Sequence, residues 1–66
     1  MQGKVVWFES KKGYGFIKGE DDIDYFVHFA NIMGEGYKTL NKDDLVEFQP
    51  SQGEKGTIAL NVKRVL

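Results

Sequence analysis

Lys12-Gly13-Tyr14-Gly15-Phe16-Ile17 and, after a short charged interval, Phe26-Val27-His28-Phe29 are the stretches on which the reading of this chain turns. Each is rich in β-branched and aromatic residues and adjoins turn formers, the pattern of a β-strand. Successive side chains on a strand point to opposite faces, so Tyr14 and Phe16 share one face while Gly15 and Ile17 take the other. The same rule pairs Phe26 with His28. With Ile17 and Val27 pointing into a core, Tyr14, Phe16, Phe26 and His28 all point outward from adjacent strands. The glycines at 13 and 15 then have a purpose, because a side chain there would crowd the rings or the core beneath.

Working outward from these stretches, Lys4 to Glu9 reads as a first strand, closed by the polar turn Ser10-Lys11-Lys12-Gly13. Tyr14 to Lys18 is a second strand, Gly19-Glu20-Asp21-Asp22 a hairpin loop, and Ile23 to Phe29 a third strand, which together make a meander. Ala30 to Met33 suits one helical turn ended by Gly34-Glu35-Gly36, and Tyr37 to Asp44 a surface connection. A fourth strand follows at Leu45 to Gln49. Pro50 lacks an amide donor and belongs at a strand end or an edge. Ser51 to Gly56 reads as a turn and Thr57 to Val65 as a fifth strand. The expected fold is all-β: a small five-stranded antiparallel β-barrel, closed or nearly so, forming a single domain over residues 1–66. Val5, Ile17, Val27, Ile32, Val46, Phe48 and Val62 form the expected core.

Composition narrows the function. At 66 residues the core must be small, since a domain of this size buries only about 60% of its unfolded surface. There is no cysteine, and the lone histidine cannot assemble a zinc site, so no metal or cofactor is expected. The carboxylates cluster at Glu20-Asp21-Asp22 and Asp43-Asp44, where solvation is the ordinary reading. Without a convincing nucleophile and base, neither an enzyme nor a small-molecule substrate is expected. No apolar run approaches the roughly 20 residues of a membrane span, so a cytoplasmic protein is the default, and a monomer is expected. The net charge of −1 argues against a binder that works chiefly through phosphate neutralisation.

The aromatic content points elsewhere. One tryptophan, three tyrosines and five phenylalanines are more than so small a core comfortably encloses. Inward packing is the ordinary fate of such rings, and for Phe48 it is the better reading. For the outward set, a contiguous apolar patch signals a binding surface, and flat rings spaced across a sheet stack unpaired bases. Trp7 and Phe8 occupy opposite faces of their strand, so one joins the patch while the other turns elsewhere; Trp7 is favoured for the patch and Phe8 is a secondary candidate. Tyr37 sits in a loop where an exposed ring has little structural purpose. Lys12, at the turn entering the aromatic strand, is placed to meet a phosphate or base edge, with Lys11, Lys18, Lys38 and Lys55 as lesser candidates. A protein-interaction barrel with an aromatic groove for a proline-rich peptide is the alternative. An RNA-recognition-motif domain is set aside, because Gly19 stands where its signature ends in an aromatic and no helix of 10 or more residues is found.

Gly3-Lys4-Val5 with Trp7-Phe8, the two stretches quoted first, and Gly34-Glu35-Gly36-Tyr37-Lys38-Thr39-Leu40 together resemble the bacterial cold-shock proteins, with Ala59, Asn61 and Val62 continuing the match. The resemblance covers nearly the whole chain. It implies an OB-type barrel that binds single-stranded RNA and DNA with little sequence demand, prefers short pyrimidine-rich stretches, and acts as an RNA chaperone in the regulation of transcription and translation. Position by position, it places the ligand surface on Trp7, Lys12, Tyr14, Phe16, Phe26, His28, Phe29 and Tyr37, of which Phe29 is added by the resemblance alone. Three positions depart from the family pattern: Val6 for a usual lysine, Thr57 for a usual proline, and Tyr25 for a smaller aliphatic residue. They imply a weaker electrostatic contribution, a looser loop, and either core repacking or a ring reaching the rim.

Overall fold

A computed structural model describes residues 1–34 and 39–65. Five strands make up the fold: β1 (Gln2–Glu9), β2 (Tyr14–Gly19), β3 (Asp24–His28), β4 (Leu45–Gly53) and β5 (Gly56–Arg64), with a short 3-10 turn at Phe29–Asn31. They close into a barrel in the order β1-β2-β3-β5-β4. Four of the ladders are antiparallel, whereas the closure between β3 and β5 is parallel and is made by Phe26 opposite Ile58. Closure leaves few unpaired strand edges, the usual hazard of so small a sheet protein.

The core lies inside the barrel. Val5, Ile17, Val27, Ile32, Val46, Phe48 and Val62 are all buried, as expected, and Tyr25, Leu40 and Ala59 join them. Leu40 comes from the connection after β3, which is thus more than a surface link. The amide of Asp43 donates to the Val5 carbonyl (2.8 Å), and that of Val5 to the Asp44 carbonyl (2.9 Å), holding this connection against β1. Arg64 of β5 donates to the Thr39 carbonyl at 2.7 Å and pairs with Asp44 at 3.5 Å.

Strand ends differ from the sequence expectation where long-range pairing extends them. Ser51 to Gly56, expected as a turn, is mostly strand: β4 runs to Gly53, and only Glu54 and Lys55 form the turn to β5. Ser51 and Gln52 are polar, but their partners Ile58 and Thr57 continue the ladder, and register outweighs local propensity here. Pro50 lies beyond the part of β4 that pairs with β1, on an edge. The third strand stops at His28 rather than Phe29, because the Nδ1 atom of His28 accepts the Ala30 amide (3.2 Å) and opens the 3-10 turn.

Tyr25 resolves the question its size raises. Its ring is buried against Phe48, with centroids 5.0 Å apart, while its hydroxyl reaches the rim and donates to Asp21 at 2.7 Å. That hydrogen bond, helped by the Ile23 amide and opposed by desolvation, holds the Asp21 carboxyl below its usual value. The same hydrogen bond, aided by desolvation, raises the Tyr25 phenol above its usual value.

Candidate nucleic-acid interface

Two local devices build the outward face. The first is a β-bulge at Val6: Val5 pairs with Ile17 and Trp7 with Phe16, leaving Val6 as the extra residue. In a regular strand Val5 and Trp7 would share a face. The bulge reverses the alternation, so Val5 is buried while Val6 (38% exposed) and Trp7 (41%) both face solvent. Phe8 consequently turns inward and packs against the core, which removes it from the aromatic surface.

The second device is glycine. Gly15 lies opposite Phe8 on β1, where an added Cβ would overlap the Trp7 carbonyl oxygen and lie 2.6 Å from the Phe8 Cα. At Gly13 the backbone has φ +79°, and an added Cβ would come within 2.8 Å of the Phe29 ring. The Phe29 amide donates to the Gly13 carbonyl (2.8 Å), tying the 3-10 turn to the loop that carries Lys12.

The rings on this face form a connected set. Trp7 lies 5.9 Å from Tyr14 and 5.8 Å from Phe16, while Phe26 lies 5.7 Å from Tyr14 and 5.8 Å from Phe16, so the four close a circuit. Each pair is tilted or edge-on, within the usual range for attractive ring contacts. His28 sits opposite Tyr14 in the β2–β3 register and packs on Phe29 at 4.6 Å. Because Nδ1 accepts the Ala30 amide, a neutral His28 ring carries its proton on Nε2. Phe29 is 48% exposed.

Lys12 is exposed at the loop before β2. Lys55 occupies the β4–β5 hairpin, beside a groove of about 690 Å³ that includes Phe16, Phe26, Asp24, Thr57 and Ile58. Thr57 and Ile58 are the wall that sequence reasoning missed, since the parallel contact with β3 leaves no local pattern. Thr57 also does more than replace a ring: its hydroxyl donates to the Asp24 carbonyl at 2.6 Å, tying the start of β5 to β3. The side chain thus gives this position a contact of its own with β3. Tyr37 and Lys38 lie outside the described residues. Among the described residues there is no group of three or more potential metal ligands, and no helix is long and apolar enough to cross a membrane.

A small closed barrel bearing outward aromatic rings on three neighbouring strands is the architecture of an OB-type nucleic-acid-binding domain. Residues 1–65 match the family model of the 'Cold-shock' DNA-binding domain, and the chain belongs to that nucleic-acid-binding family. It is 52% identical to a cold shock-like protein of Thermotoga maritima and 50% identical to the cold shock protein CspB of Bacillus caldolyticus, in both cases over 98% of this chain and 98% of the relative. A solved structure of drosophila Unr CSD456 shares the fold, with a TM-score of 0.75 and 24% identity over 98% of this chain, which spans 26% of that longer one.

Proposed function

We propose that this protein binds single-stranded RNA and DNA by stacking unpaired bases on Trp7, Tyr14, Phe16, Phe26, His28 and Phe29, with Tyr37 as a further contact and Lys12 and Lys55 meeting the backbone. The closed circuit of four rings supports this reading most directly. These rings are held by strands and by one another, so little side-chain freedom is lost on binding. At about 1 to 3 kcal/mol per stacked base, three or four stacks supply micromolar or tighter binding. Bases must be unpaired to present their faces, so binding competes with weak secondary structure, which is the physical basis of an RNA chaperone. Short pyrimidine-rich stretches, which the resemblance to cold-shock proteins implies, are proposed as the preferred ligands, and a monomer as the binding unit.

Titration with oligothymidine of about six or seven nucleotides, followed by the fluorescence of the single tryptophan, tests this reading. Quenching with micromolar or tighter binding is expected, alongside no response to a proline-rich peptide. Absence of binding at tens of micromolar in low salt ends it. With two or three phosphates neutralised, the log-log salt slope should be near about −2.

A further inference from the structure

Past the ring circuit, the outward surface of β1 and β2 continues into a cleft of about 450 Å³, lined among others by Lys4, Val6, Lys18, Lys42 and Leu45. Lys18 is two residues beyond Phe16 on the same face of β2 and stands opposite Lys4 in the β1–β2 register. Like charges directly opposite across a ladder repel, so this pair does not serve the sheet. Lys18 is partly offset by Asp24 at 3.6 Å, whereas Lys4 and Lys42 form no ion pair with any described residue. Of the two acidic residues that also line the cleft, Glu20 and Asp43, the Glu20 carboxylate accepts the Gln2 amide at 2.9 Å. Val6 and Leu45, 38% and 56% exposed, give the cleft apolar surface.

We propose that this cleft takes one further nucleotide of a single strand already stacked on the rings, with its base over Val6 and Leu45 and its phosphates among Lys4, Lys18 and Lys42. The proposal rests on the reading that the rings bind a single strand. Continuity supports it, because Val6 and Trp7 are consecutive and both outward at the bulge, joining the two surfaces. Charge complementarity supports it too, since an anionic backbone relieves the repulsion between Lys4 and Lys18. The volume lies at the lower end of ligand-sized pockets, about 300 to 1,000 Å³, which suits a single nucleotide.

The test compares the wild type with the double variant Lys18→Gln, Lys42→Gln on oligothymidines of six and nine nucleotides at several salt concentrations. Hexamer affinity should stay within about twofold, while nonamer affinity falls about threefold or more and its salt slope flattens by about one unit, as loss of one or two phosphate contacts requires. Equal losses on both lengths, or no loss on either, would overturn the cleft, while the ring reading stands as long as the wild type binds the hexamer. Failure of the wild type to bind the hexamer overturns both. Thermal melting monitors the fold, and the Lys18→Arg, Lys42→Arg variant must recover nonamer binding if charge is the cause.

Discussion

Tyr25 and Phe26 are neighbours on β3, yet one packs inward on Phe48 while the other stands in the outward circuit with Tyr14 and Phe16. The inner rings are covered by the barrel. The outer rings flank one another and the Thr57–Ile58 wall and remain partly exposed. Residue type does not separate the two sets, but side of the sheet does, so substitutions on the two sides should damage different properties. Inner changes should lower stability at constant affinity per folded molecule, and outer changes should do the reverse.

The largest effect should come from Phe48→Ala. Truncating a buried phenylalanine costs about 3 to 5 kcal/mol, against a total stability of about 3 to 10 kcal/mol for a domain of this size. Chemical denaturation should show a largely unfolded or barely folded protein. A stably folded Phe48→Ala variant with weakened binding would break the division between the two sides.

On the outer side, Phe16→Ala or Phe26→Ala should weaken oligothymidine binding by about 1 to 3 kcal/mol, or roughly 5- to 150-fold, while the domain stays folded. Unfolding, with affinity per folded molecule unchanged, would assign those rings to the core instead. Val6→Lys should act in the opposite direction and more weakly. Restoring the family's usual cation beside Trp7 should tighten binding a few-fold at low salt and steepen the log-log salt slope by about 0.7.

Tyr25→Phe should alter the pH dependence of stability rather than affinity. The Asp21 carboxyl is depressed below its ordinary 3.8, so its contribution to stability is present above that value and lost as pH falls through the lower folded value. The Tyr25 phenol is raised above its ordinary 10.0, so its contribution is present below that value and lost as pH rises through the higher folded value. Both effects come from one hydrogen bond. Melting temperature followed across pH should therefore be modestly lower in Tyr25→Phe between these limits and converge with the wild type at both extremes. A constant difference at every pH would mean that the hydroxyl acts only through packing.

Much of the interface was legible because it is written in short-range alternation. The placement of Tyr14, Phe16, Phe26 and His28 on one face needs only the two-residue period of a strand and the presence of Ile17 and Val27 between them. Phe8 was harder to place, because its facing depends on the bulge next to it. Lys55 and the Thr57–Ile58 wall meet the rings only through the pairing of β3 with β5, two strands far apart in the chain. Leu40, in a stretch that reads as polar connection, joins the buried core, and no period marks it.

The alternation of β2 and β3, the small five-stranded barrel and the family relationship can all be read from the amino-acid sequence. Each of these follows from local backbone geometry or from motifs contained in single stretches. That Val5 and Trp7 face opposite ways, that Thr57 ties β5 to β3, and that Lys4, Lys18 and Lys42 surround one cleft is visible solely in three dimensions. A bulge is defined by the partner strand, and the hydrogen bond and the cleft join residues from separate parts of the chain, so these features exist only once the barrel has closed.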